Sequence, residues 1–150
     1  MQGHLQRRQT TPEKILLIDD EPDLLEAMAE RMRMLGIDVS TTTSAWDALE
    51  KVETHSYDAI VLDLIMPEMD GFEALRAFKM KKPSVPVILL TGHATVSMGI
   101  EAKKLGAMDL IEKPADLKAL AEKIKGAKAK RMDEERLGKQ ANNSIKAKGG

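Results

Sequence analysis

Five polar residues stand at the ends of apolar runs. Asp19 and Asp20 follow Ile15-Leu16-Leu17-Ile18, Asp63 closes Ala59-Ile60-Val61-Leu62, Thr91 closes Val87-Ile88-Leu89-Leu90, and Lys113 comes directly after Asp109-Leu110-Ile111-Glu112. Taken singly, each has a plain structural reading as an acidic loop, a helix-capping aspartate, a strand-end threonine or a surface lysine. Taken together they define a chemistry. Three carboxylates gathered in one place repel, and they hold their protons more tightly unless a cation intervenes. An all-oxygen donor set without His or Cys suits a hard ion, and few protein ligands with waters retained suit Mg²⁺ better than a full calcium cage. An ammonium and a hydroxyl facing that site, from Lys113 and Thr91, are suited to holding a phosphoryl group, because the cation offsets its charge and the hydroxyl donates to one oxygen. A carboxylate is also a nucleophile toward phosphorus and forms an aspartyl phosphate. Asp63, on the central apolar run, is the best-placed nucleophile.

For these residues to meet, the chain must bring the ends of the apolar runs to one edge. The pattern provides for this. Lys14 to Ile18 reads as a buried strand, and Pro22 opens a helix whose Leu24, Leu25, Met28, Met32 and Leu35 fall at helical spacing before Gly36. Asp38 to Thr42 is a weaker strand suited to an edge. Ser44 and Asp47 resemble a capping box ahead of Ala45, Ala48, Leu49 and Val52. The strand at Ala59 to Asp63 leads through a Pro/Gly loop to a helix carrying Phe72, Leu75 and Phe78. The strand at Val87 to Thr91 leads to a helix from about Val96 to Leu105, and the strand at Asp109 to Glu112 leads to a helix from Asp116 with Leu117, Leu120 and Ile124 on one face. Five strands alternating with five helices predict an α/β fold with a parallel, doubly wound sheet. In such a sheet all strand C-terminal ends share one edge, where ligands bind at the reversal of strand order. A closed eight-stranded barrel needs more chain.

Composition excludes several classes. The 150 residues are 43% hydrophobic and 31% charged, enough for one substantial core, and leave no room for a second folded output domain. The absence of cysteine removes disulfides, thiolate metal sites and cysteine nucleophiles, and no run approaches the roughly 20 apolar residues of a membrane span. The reading is a cytoplasmic protein without a signal peptide or DNA-binding domain. Residues 1–12 read as a disordered N-terminal arm, 13–126 as the folded domain, and 127–150 as a charged helix extension and disordered tail frayed from Asn142-Asn143-Ser144 onward. Residues 123–150 hold nine Lys or Arg against three Asp or Glu, a balance of +6 that leaves −7 for the rest of the chain. An acidic body argues against a nucleic-acid-binding core, and the basic tail has no aromatic residue on which a base would stack. The methionines are read as core packing.

The segments Ile18-Asp19-Asp20-Glu21-Pro22, Val61 to Gly71 (Val-Leu-Asp-Leu-Ile-Met-Pro-Glu-Met-Asp-Gly), Leu90-Thr91-Gly92-His93 and Gly106 to Pro114 (Gly-Ala-Met-Asp-Leu-Ile-Glu-Lys-Pro) occur in this order. Through them the chain resembles the receiver domain of two-component response regulators. The resemblance implies a flavodoxin-like (βα)₅ fold with strand order 2-1-3-4-5. It implies that Asp63 accepts a phosphoryl group from a sensor histidine kinase or phosphotransfer protein. Asp20 and Asp63 would ligate Mg²⁺ with the backbone carbonyl of Ile65, while Asp19 acts through water. Lys113 would pair with the phosphoryl oxygens, Thr91 would move to hydrogen-bond the phosphate, Pro114 would fix the turn presenting Lys113, and Gly71 would supply the turn begun at Met66-Pro67. Receivers usually carry Tyr or Phe three residues before the lysine. Here that residue is Leu110, which implies weaker coupling to the output face or coupling through another side chain.

The helix after Thr91 contains an interior glycine, Gly99, at a cost of about 1 kcal/mol relative to alanine, and so is expected to shift most easily; a merely mediocre surface helix is the other reading. His93 either faces the phosphoryl site and tunes hydrolysis or is a loop residue without a role there. The leading function is a phosphorylation-dependent switch that is not an enzyme beyond its own phosphorylation and dephosphorylation. It would act as a monomer or weak homodimer and dock a downstream protein through the fourth helix (from about Val96 to Leu105), the fifth strand (Asp109 to Glu112) and the fifth helix (from Asp116). The rivals are a Mg²⁺-dependent phosphohydrolase and a degenerate, unphosphorylated scaffold.

Overall fold

The computed structural model describes residues 11–149, with side-chain surroundings through residue 138. Five strands, β1 (Lys14–Ile18), β2 (Asp38–Thr42), β3 (Ala59–Asp63), β4 (Val87–Thr91) and β5 (Asp109–Glu112), alternate with α1 (Pro22–Met34), α2 (Ala45–Thr54), α3 (Gly71–Lys81), α4 (Val96–Lys104) and α5 (Leu117–Gly149). The sheet is wholly parallel in the order β2-β1-β3-β4-β5, as the resemblance implied, with the weak strand β2 at one edge.

Continuous apolar runs are required because the inner strands are covered on both faces. Alternate side chains go to opposite layers. Leu16, Ile18, Ile60, Leu62 and Leu89 join α2, α3 and α4 around the fully buried Phe78, while Ile15, Leu17, Val61, Ile88 and Leu90 join α1 and α5 around Met32, Leu120 and Ile124. With helices on both faces, the chain's only route between parallel neighbours is through crossovers, and the order reverses between β1 and β3. A crevice opens there at the C-terminal edge.

The helix starts follow local chemistry. Ser44 Oγ accepts from Asp47 N at 3.1 Å, Asp70 Oδ1 from Phe72 N at 3.1 Å, Thr95 Oγ1 from Met98 N at 3.1 Å, and Asp116 Oδ1 from both Lys118 N and Ala119 N at 3.1 Å. Gly36 and Gly106, at φ +88° and +95°, take the left-handed backbone that ends α1 and α4. The Lys113–Pro114 peptide bond is cis.

One expectation needs correction. Met28, Met32 and Met66 are buried, but Met34, Met80, Met108 and Met132 are exposed, so methionine at helical spacing did not by itself mean core. The charged helix extension expected from residue 127 is the continuation of α5, which runs to Gly149. Its Ala, Lys, Glu, Arg and Met content favours helix even where no apolar face remains to be buried. The turn expected at Gly71 closes with Gly71 N donating to Leu64 O at 2.9 Å, and its φ is not positive. A Cβ there would lie 2.4 Å from the Leu64 carbonyl oxygen and 2.6 Å from Leu64 Cα, so the residue is glycine to let the start of α3 press against the end of β3. Of the N-terminal arm read at 1–12, residues 1–10 lie outside the described residues.

Candidate functional site

The loop after β1 and the end of β3 flank the switch point, and three carboxylates gather there. Asp19, Asp20 and Asp63 each offer an oxygen within 4.8 Å of the others. Asp19 and Asp63 are buried, at 1% and 6% exposure, and Asp20 is more open. The end of β2 and the loop that follows β1 hold Asp19 in place: its N–H donates to Thr42 O at 3.3 Å, and its Oδ1 accepts from Glu21 N at 3.0 Å. Asp63 Oδ1 accepts from Ile65 N at 3.4 Å. The loop that follows is tied back to the sheet by Leu64 N to Leu90 O at 2.7 Å and Gly71 N to Leu64 O at 2.9 Å.

Lys113 reaches in from the far strand. Its Nζ lies 2.9 Å from Asp19 Oδ2 and 3.5 Å from Asp63 Oδ1. Its main chain is fixed by Lys113 N donating to Thr91 O at 2.7 Å, so β4 and β5 together aim the ammonium at the acidic pair. Burial pushes the Asp63 carboxyl above the ordinary aspartate value; the charge of Lys113 pulls it back and that of Asp19 adds to the rise. Burial lowers the Lys113 ammonium, but its hydrogen bond to Asp19 and the charge of Asp63 outweigh burial and hold it above the ordinary lysine value. The site is therefore anionic in excess: two buried carboxylates and a third nearby share one ammonium.

Thr91 is fully buried, one residue beyond Leu90, which pairs with Asp63 across the sheet. Its hydroxyl oxygen accepts from His93 N at 3.3 Å. His93 thus enters through its backbone; its side chain is exposed and makes no hydrogen bond to the site among the described residues. Leu110 is half-buried, packs against the core and borders a groove of about 290 Å³ between α4 and β5. One residue near the site escaped sequence reasoning. Glu68, in the loop after Asp63, accepts from Ala45 N through Oε1 at 2.6 Å and so pins that loop to the start of α2. The two residues are 23 positions apart, and no local pattern announces the contact.

The chain matches the family model described as the response regulator receiver domain over residues 15–125. It belongs to that family. Among curated relatives, the transcriptional regulatory protein ZraR of Klebsiella oxytoca is 36% identical over 106 residues, covering 71% of this chain and 24% of ZraR. The chain spans about a quarter of the length of the curated relatives it matches. Among solved structures, a response regulator receiver domain protein from Clostridium thermocellum is 33% identical with a TM-score of 0.75, covering 80% of this chain and 97% of that one. A CheY-like receiver domain protein from Methanospirillum hungatei JF-1 is 27% identical with a TM-score of 0.76, covering 83% and 99%. The chain is thus a response regulator receiver of two-component signalling, with an acidic cluster of a composition that suits a metal ion. Among the described residues of this receiver, no helix is long and apolar enough to cross a membrane.

Proposed function

We propose that this receiver is a phosphorylation-dependent switch in a two-component phosphorelay, with Asp63 as the acceptor of a phosphoryl group from the phosphohistidine of a sensor kinase or phosphotransfer protein. A carboxylate oxygen of Asp63 forms the new P–O bond as the P–N bond to imidazole breaks, and the imidazole leaves with the electron pair. The observation that carries this reading is the Lys113 ammonium within 3.5 Å of Asp63 Oδ1 and 2.9 Å of Asp19 Oδ2 beside a carboxylate cluster. It neutralises charge where a phosphoryl group would add more.

Asp19, Asp20, Asp63 and the backbone carbonyl of Ile65 form the proposed Mg²⁺ ligand set, with Asp19 acting through water. The all-carboxylate donors and their excess negative charge fit a hard divalent ion, which when bound would offset the charge of the phosphoryl oxygens. Thr91 exchanges its His93 N–H partner for a phosphoryl oxygen, to which its hydroxyl donates. α4 follows as a unit. Its capacity to move is supported by Ala102 being its one buried residue and by interior Gly99. With Leu110 in the usual aromatic place, repacking of α4 against β5 carries the signal to a face of α4, β5 and α5 that docks a downstream protein. The receiver unit comprises residues 13–126, between an N-terminal arm (1–12) and a charged extension (127–150). It acts in the cytoplasm as a monomer or weak homodimer and catalyses only its own phosphorylation and dephosphorylation.

The test is intact-mass measurement after incubation with Mg²⁺ and either acetyl phosphate or a phosphorylated kinase. A gain of one phosphoryl group that disappears in Asp63→Asn is expected. No gain from any donor, or an undiminished gain in Asp63→Asn, overturns the assignment.

A further inference from the structure

The N-terminal edge of the sheet, at the opposite end of β3 from Asp63, carries a second polar cavity that phosphoryl chemistry does not use. Its volume is about 200 Å³, room for several waters at about 30 Å³ each. The segment before β3 contributes Ser56 and Tyr57, the segment before β4 contributes Lys82 and Ser84, and α5 contributes Arg131. Arg131 Nη1 donates to Tyr57 O and Asp58 O, each at 3.3 Å. Arg131 Nε is the one buried side-chain nitrogen or oxygen among the described residues with no hydrogen-bond partner. A buried donor left unpaired is uncommon and calls for an acceptor.

The local charge points to the kind of acceptor. Around the cavity stand Lys82, Arg131 and, behind Val85, Lys79, whose ammonium donates to Val85 O at 2.9 Å. Burial first, and then the nearby Arg131 charge, hold the Lys79 ammonium below the ordinary lysine value, which places Arg131 within electrostatic reach of a third cation. Among the described residues no carboxylate lines the cavity itself; Asp58 and Glu134 stand near it, and Asp47 acts on Tyr57 from α2. Asp58 lies 4.0 Å from Arg131 but is shared with Lys128 at 3.8 Å, and Glu134 lines the adjoining groove rather than this cavity. Water would give Arg131 Nε its acceptor yet leave this charge unbalanced. An oxyanion does both, and a guanidinium matches it geometrically while hydroxyls complete its hydrogen bonds.

We infer that the cavity bordered by Ser56, Tyr57, Lys82, Ser84 and Arg131 is a binding site for a small tetrahedral oxyanion of the phosphate class, at the edge of the sheet opposite the phosphoacceptor. It is formed only when α5 lies against the segment before β3, so occupancy couples the C-terminal helix to the sheet.

The test is titration of the isotopically labelled full chain with inorganic phosphate, without divalent cations and in the Asp63→Asn background, following backbone amides and the Arg131 Nε–H by NMR. Saturable shifts at Ser56, Ser84 and Arg131 Nε are expected, absent with chloride at matched ionic strength. Arg131→Gln should weaken the affinity by at least about tenfold, the loss of a charge-assisted contact, and Lys82→Gln by a smaller factor. Shifts that do not saturate, that chloride reproduces, or that are confined to residues around Thr91 and Lys113 overturn the inference. Undiminished binding in folded Arg131→Gln does the same. Should that variant fail to fold, unchanged affinity in Lys82→Gln, at an exposed position, overturns it alone.

Discussion

At the level of single residues, the acidic centre carries its own electrostatic cost. Burial holds the Asp63 carboxyl above its ordinary value, so the ionised form is less favourable in the folded chain than in the unfolded one. The sign follows. Below the ordinary aspartate pKa both states are protonated and Asp63 contributes no pH dependence; as pH rises from there toward the folded value, the unfolded chain releases its proton first and stability falls. Without divalent cations, Asp63→Asn should therefore have a higher urea midpoint than wild type at neutral pH, and the advantage should shrink toward pH 3. Added Mg²⁺ should narrow the gap by raising the wild type. Lys113→Met should act in the opposite direction, because Asp19 and Asp63 would stay buried without their shared cation; a loss of about 3 kcal/mol is expected in denaturant unfolding. The chemistry of this cluster was legible in the sequence because each member follows an apolar run, and a parallel sheet brings such ends to one edge. The hydrogen bond from Ala45 to Glu68 and the network at Asp58 and Arg131 were not legible. Each joins residues far apart in the chain whose types are ordinary for a surface, and only the folded backbone brings them together.

Elements were legible wherever burial sets a period. The inner strands β1, β3 and β4 carry continuous apolar runs because helices cover both faces, and α1, α2 and α3 show their buried stripe in Leu25, Met28 and Met32, in Ala48 and Val52, and in Ala74 and Phe78. Where burial is slight the sequence is a weaker guide: α4 buries only Ala102, and the later part of α5 is mostly exposed, so periodicity neither marks its end nor predicts how far it runs. Exposed Met34 and Met80 sit in the last turns of α1 and α3, past the stripe that the core requires. Close approach is also hidden from sequence reading. Gly71 reads as a turn glycine, and in the fold it also admits the backbone of Leu64. Gly71→Ala should cost about 1–3 kcal/mol, the range for overpacking, since the added methyl meets backbone that cannot rotate away. Chemical denaturation reads that loss. Because the displaced segment begins one residue after Asp63, phosphorylation by acetyl phosphate should slow in the same variant, whereas a loss of stability alone would leave the rate of the folded fraction unchanged.

For the molecule as a whole, the two edges of the sheet have different work. The C-terminal edge gathers the acidic cluster and Lys113 at the switch point between β1 and β3, while the N-terminal edge is where α5, after packing Leu117, Leu120 and Ile124 into the core, continues past the sheet. That continuation is anchored. Ala127 is buried, Lys128 Nζ donates to Thr11 O at 3.0 Å and lies 3.8 Å from Asp58, and Arg131 donates to the carbonyls of Tyr57 and Asp58. The unit proposed at 13–126 is therefore held by contacts from the first turns of the charged extension, whereas Met132 to Gly138 is exposed throughout and forms the Arg136–Asp133 pair within the helix. Two shortened chains separate the possibilities. One ending at Gly138 keeps every anchoring contact. One ending at Gly126 loses several hydrogen bonds and the burial of Ala127, and leaves Asp58 without its two cationic neighbours, for an expected deficit of about 1–3 kcal/mol in urea unfolding relative to the longer chain. Equal midpoints for the two would mean that α5 beyond Gly126 adds nothing to the fold, and the structural unit would then end where the apolar periodicity does.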